Sequence, residues 1–295
     1  MALVFADSTL SNIENLLTLQ ERSYHDSPFL EGGASDPVGG HAKQDNGVVD
    51  DQIAVDGLKL ATHLARPPGT GPAPALVLTH DFPVPPRGAL ASGLTFPELA
   101  DRIARDAGWI VFTFNLRGTG GSDGDFSISG WLADQRAAID HLHARDDVLG
   151  IWLVGTGVGG SLSLVSAARD ERVRGVATLG AESTLREWTR DPNRFLKHCR
   201  RMGVFRTTGF PFDAGTWIRE IEAIDAPAAA RLVAPRPLLV LQGTEDDVVS
   251  VEDARAIADA HGAADLRIVQ TAARRLRHDP RAIASLLGWL DRQEV

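Results

Sequence analysis

A single cysteine, Cys199, excludes an internal disulfide and suits a reducing compartment. Long apolar runs are absent. Nothing approaches the roughly 20 consecutive residues of a membrane-spanning helix, so no membrane association is expected. Residues 1–7 bring no basic leader ahead of an apolar stretch, so no secretory signal is expected there. Positive charge is in deficit, with 30 Lys and Arg against 39 Asp and Glu. The resulting net charge of −9 argues against non-specific nucleic-acid binding. These absences predict a cytoplasmic globular protein with no nucleic-acid partner, metal or cofactor. Its 295 residues, 43% of them apolar, suffice for one large α/β domain or two small ones.

What is present falls into two parts. Within residues 8–24, Leu10, Ile13, Leu16, Leu17 and Leu19 lie mostly on one helical side, and Ser11 with Glu14 fits a capping box. Residues 27–47 are rich in Gly, Pro, Asp and Ser and read as a flexible linker. Residues 1–50 are thus expected to form an N-terminal helix and linker. The helix either packs on its own domain or docks on a protein partner or a second copy of the chain.

Residues 51–295 are expected to form the main domain. Segments 52–55 and 59–65 flank Asp56-Gly57, a hairpin signal. Apolar strands at 75–79, 109–115, 150–154, 173–179, 237–241 and 266–271 then alternate with helix patterns at 97–106, 130–144, 160–169, 251–261 and 280–292. That pattern predicts an α/β fold: a mostly parallel twisted sheet, helices on both faces, and antiparallel strands at one edge. Residues 182–233 read as a helical cap insertion above the strand ends. It carries Trp188, Phe195, Trp217 and Ile221, and a basic face of Arg186, Arg190, Arg194, Lys197, Arg200 and Arg201. That face is either solvated surface or a lure for an anion.

The segment with chemical meaning is 151–160, I-W-L-V-G-T-G-V-G-G. An apolar strand runs through a glycine-rich turn into a helix, the context of a G-x-S-x-G nucleophile elbow. Gly157 stands where the serine would attack. Glycine has no side chain, so serine acyl transfer at this turn is excluded.

Three further turns complete a pattern: His80-Asp81-Phe82-Pro83, the run from Asn115 to Ser122, and the run from Gly243 to Val249. With residues 271–279, T-A-A-R-R-L-R-H-D, they resemble the H-G-x-P, R-G-x-G-x-S, G-x-x-D-x-x-V and G-x-G-H segments of the α/β-hydrolase fold superfamily. The serine-aminopeptidase-like and dienelactone-hydrolase-like members are the most similar, and the resemblance runs from about Asp51 to the C-terminus. It implies a triad at Gly157, Asp246 and Arg274, in the chain order of these hydrolases. The acid is intact. Arginine stays protonated and cannot serve as the base. The resemblance also implies an oxyanion hole built from the Phe82 and Val158 backbone N–H groups, with Asp81 replacing a glycine. A carboxylate there would repel a developing oxyanion. An ion-paired plug is therefore expected, Arg274 satisfying Asp246, with Asp81 as a second partner.

Substitutes for the lost groups are weak. Ser122 belongs to a structural turn, Ser161 and Ser163 point into helix packing, and Thr156 is expected to face away from the pocket. Cys199 lies among basic residues that would lower its pKa. Its neighbour His198 does not face it on a helix. His278, beside Asp279-Pro280, is expected to cap the last helix.

The leading expectation is a catalytically defective member, a pseudohydrolase that binds, scaffolds or regulates. It would use the N-terminal helix and cap as contact surfaces and hold a small ligand in the former pocket. The alternative is a hydrolase or lyase using Asp246 or Asp81 as a general base without a covalent intermediate. A third class rests on Gly155-x-Gly157-x-x-Gly160 with Glu182 as a ribose ligand, the pattern of a dinucleotide-binding protein. It leaves the other three turn motifs unexplained.

Overall fold

The structure, a computed structural model, describes residues 52–85 and 87–294. The expected helix at 8–24 and linker at 27–47 lie outside the described residues. Strands β1 (Ile53–Val55) and β2 (Leu58–Leu60) form an antiparallel hairpin. Asp56 and Gly57 both take positive φ, 52° and 78°, as a primed two-residue turn requires.

The expected second hairpin strand is broken in two at Ala61. Its carbonyl accepts from the Asn115 N–H and its own N–H donates to the Ser122 hydroxyl, so neither group is free for a ladder. The chain re-forms as β3 (Thr62–Ala65), antiparallel to β5 (Ile110–Phe114) at the sheet edge. The remaining strands are parallel: β4 (Ala73–Thr79), β6 (Val148–Thr156), β7 (Val173–Leu179), β8 (Leu238–Glu245) and β9 (Asp265–Ala273). The sheet order is β3-β5-β4-β6-β7-β8-β9. Because β4 has β5 on one side and β6 on the other, the winding reverses there. The crevice beyond the C-terminal ends of β4 and β6 is where such sheets hold ligands.

Strand alternation sorts the core. Leu76 and Leu78 of β4 face helices α1 (Phe96–Ala107) and α8 (Pro280–Leu290), packing with Ile103, Trp109, Trp152 and Ile283. Ala75 and Val77 face the other layer, formed by α2 (Ile128–His143), α3 (Val158–Arg169) and α7 (Val251–His261). Both faces of the sheet are thus buried, which explains strands that are apolar throughout.

Between β7 and β8 come α4 (Pro192–Met202), α5 (Ala214–Glu222) and α6 (Ala226–Val233), started by the N-cap side chains Asp191, Asp213 and Asp225. Helices α4 and α5 bring Phe195 and Trp217 onto the loops that follow β4 and β5. Phe82 lies 5.1 Å from the Trp188 ring, and the Trp217 indole N–H donates to the Phe126 carbonyl at 3.1 Å. Helix α6 behaves differently, packing with α3 and α7 in the layer over the sheet. The basic side chains of this stretch, Arg186, Arg190, Lys197, Arg200 and Arg201, are exposed. No described helix is long and apolar enough to cross a membrane.

Candidate active site

The turn after β6 keeps the tight geometry of an elbow. A Cβ on Gly155 would overlap the backbone at Gly159, and one on Gly159 would overlap the His80 carbonyl. Gly157 sits between them at φ 51° and ψ −131°, a conformation that L side chains rarely adopt. It is also the N-cap of α3 and offers that helix no capping side chain. The first free N–H of the helix, on Val158, must therefore find an acceptor elsewhere.

That acceptor is Asp81. The loop after β4 is held by the buried His80 ring. Its Nδ1 lies 2.7 Å from the Asp81 carbonyl, while Nε2 accepts from the Leu116 N–H at 3.1 Å. The network assigns the Nδ1–H tautomer. Burial lowers the His80 pKa to about 4, so the ring is neutral. With the loop so fixed, Asp81 Oδ1 accepts from the Phe82 N–H at 2.7 Å and the Val158 N–H at 3.1 Å. Its Oδ2 accepts from Arg274 Nη2 at 2.8 Å and Nε at 3.3 Å. The two backbone donors expected of an oxyanion hole do converge, and a resident carboxylate fills them. A Cβ at position 157 would overlap that same carboxylate.

Arg274 is thus placed differently from expectation. Its hydrogen-bonded partner is Asp81, and no direct bond joins it to Asp246, because Asp81 reaches across from the β4 loop and takes its accessible edge. Asp246 Oδ1 instead accepts from the Val248 and Val249 N–H groups at 2.9 and 3.0 Å, and its buried Oδ2 has no hydrogen-bond partner. Burial raises the Asp246 pKa despite those two donors and the nearby Arg274 charge. Burial opposes the charge on Arg274, yet Asp81, Glu182 and Asp246 together raise its pKa further.

Glu182 is the residue that sequence reasoning misplaced. Both its carboxyl oxygens are buried without a hydrogen-bond partner, and the residue is 7% exposed. Burial first, then the Asp81 charge, push its pKa up to about 8, with Arg274 acting in opposition. A ribose ligand must face solvent, and this carboxyl does not. The helix N-terminus that would seat a pyrophosphate is occupied by Asp81 as well. The ribose-binding half of the dinucleotide arrangement is therefore missing. Only strand order, which lays the end of β7 beside β6 and β8, could have hinted at this clustering.

The other expected residues settle as follows. Ser122 bonds the Asn115 carbonyl and the Ala61 N–H, holding its turn. Ser161 and Ser163 donate to the Glu182 and Gly159 carbonyls. Thr156 borders the cavity, and its hydroxyl is buried without a hydrogen-bond partner. Burial pushes the Cys199 thiol up, overriding the neighbouring arginine that would lower it. His198 is held between Phe82 and Phe195, and burial takes its pKa to about 4. The last helix is capped by Asp279, which accepts from the Arg281 and Ala282 N–H groups. His278 lies exposed at the cavity edge instead.

Above this cluster opens a cavity of about 500 Å³. Asp81, Gly157, Gly180 and Arg274 form its floor, and Val84, Leu94, Phe96 and Leu179 supply apolar wall. Among the described residues, no group of three or more His, Cys, Asp and Glu is arranged to hold a metal ion.

No family model matches the chain, and no curated protein matches it. Solved structures do. Est1E from Butyrivibrio proteoclasticus, with ferulic acid bound, superposes at a TM-score of 0.61 and 18% identity, over 82% of this chain and 96% of that one. The α/β hydrolase GrgF from Penicillium sp. sh18 gives 0.65 and 17%, over 83% and 98%. The meta-cleavage product hydrolase CumD from Pseudomonas fluorescens IP01, in a mutant form complexed with acetates, gives 0.58 and 18%, over 82% and 97%.

Proposed function

We propose that this chain, which has the α/β-hydrolase fold, is a non-hydrolytic member whose former acyl-transfer site is closed by its own side chain and serves binding or regulation. One observation carries the reading: a single carboxylate, Asp81, takes both backbone donors and the guanidinium that stands in the base's place. Acyl transfer needs those donors empty, so that they meet charge only as it develops. Here a full negative charge already rests on them. Gly157 supplies no nucleophile, and Arg274 cannot accept a proton.

The test is hydrolysis of a p-nitrophenyl ester series by the full chain. The expected result is no release above the buffer rate. Turnover abolished by Asp246→Ala would overturn the reading.

A second reading is supported by the fold neighbours, which are named as hydrolases. Asp81, which lines the cavity, is the carboxylate an enzyme of that class would use as a general base without a covalent intermediate. Turnover lost in Asp81→Asn but kept on substituting Asp246 would favour it. Docking or self-association through residues 1–47 is tested separately, by comparing the solution mass of the full chain with that of a chain lacking them.

A further inference from the structure

We infer that Asp81 is a displaceable occupant, and that the cavity takes small organic carboxylates which replace it on the Phe82 and Val158 N–H groups and on Arg274. This rests on the reading of a closed, non-hydrolytic site and names the ligand class for it. The donors form a complete carboxylate receptor: two converging amides at a helix start and one guanidinium. The receptor is filled, so its preference is already on display.

Asp81 fills it imperfectly. Both Arg274 contacts fall on the one oxygen Oδ2, the Nε contact is long at 3.3 Å, and Nη1 has no hydrogen-bond partner. A carboxylate arriving free of the β4 loop is not tethered to that geometry and can pair two oxygens with two nitrogens. The Asp81 and Arg274 side chains are each 17% exposed and both line the cavity, so an incoming carboxylate can reach them. Around the cavity Arg87, Arg275 and Arg277 outnumber Glu245 and Asp247, a balance that favours anions. The cavity volume, about 500 Å³, suits a small ligand, and Val84, Leu94 and Leu179 suit an apolar body behind the charged head.

The experiment is calorimetric titration of the full chain with 4-phenylbutyrate, using 4-phenylbutanol as the uncharged control. Amide resonances are followed in parallel. The expected results are binding of the carboxylate only, shifts at the Phe82 and Val158 amides, and loss of binding in Arg274→Met. Asp81→Ala should bind at least about tenfold more tightly, because the resident competitor no longer holds the site. If that variant does not fold, Asp81→Asn, close in shape and uncharged, reads the same quantity. Equal affinity with and without the Asp81 charge, binding that survives in Arg274→Met, or no binding by the wild-type chain would each overturn the inference. Ester turnover by the wild-type chain sinks the functional reading whatever the titration gives. Failed titration without turnover sinks only the ligand class.

Discussion

A Cβ atom on Gly157 would overlap the carboxylate of Asp81, so a side chain at 157 requires that carboxylate to move. Gly157→Ser alone is expected to lose about 1–3 kcal/mol of stability, from a strained φ and the displaced carboxylate. It should gain no esterase activity. On the closed-site reading, building a working triad takes three changes together, Asp81→Gly, Gly157→Ser and Arg274→His. Asp81→Gly should also relieve part of the stability lost in Gly157→Ser, a coupling that urea denaturation of the double-mutant cycle would measure. Additive losses would show that the overlap has no energetic weight.

Glu182 gives a pH signature of definite sign. In the unfolded chain it ionises from about 4.5 upward, whereas in the fold it keeps its proton until about 8. The folded state binds more protons across that window, so its stability falls as pH rises from about 4.5 to 8. Glu182→Gln removes the penalty. The variant should match the wild type at acid pH and exceed it increasingly up to pH 8, by at most about 1.4 kcal/mol per unit. A difference independent of pH would contradict the assignment.

His198 works the opposite way. Burial first, then the charges of Arg201 and Arg194, lower its pKa from 6.5 to about 4. As pH drops through that interval the unfolded chain takes up the proton first, and stability is lost. His198→Phe keeps the stacking against Phe82 and Phe195 without the titration. Its melting temperature should therefore decline less steeply than the wild type's between pH 6.5 and 4.

Arg117 is expected to matter for folding alone. Its Nε donates to Asp134 Oδ1 at 2.8 Å and its Nη2 to Asp56 Oδ2 at 2.9 Å, while the Asp134 side chain is fully buried. Arg117→Met leaves that carboxylate buried and unpaired, at a loss of about 3–5 kcal/mol. Guanidinium unfolding midpoints would register it. Asp134→Asn in the same background should recover part of the loss.

Much of this was legible in the sequence. Apolar strands alternating with helix patterns predicted the parallel sheet, and Asp56-Gly57 predicted the hairpin. The glycine pattern at 155–159 predicted the tight strand-to-helix turn. What escaped was whatever depends on distant backbone arriving from elsewhere. The break at Ala61 needs Asn115 and Ser122 across the fold. The Asp81 carboxylate was foreseen near the donors, but its seat on them follows from the β4 loop and the α3 N-terminus meeting at the switch in strand order. Glu182 and Cys199 take their character from burial, which local sequence does not encode.

Phe82 belongs to two structures at once. Its amide is half of the donor pair, and its ring is the floor on which Trp188, Phe195 and His198 rest. Both are attached to one Cα. The aromatic packing of helix α4 and the seat of the Asp81 carboxylate therefore meet at one residue, with nothing between them.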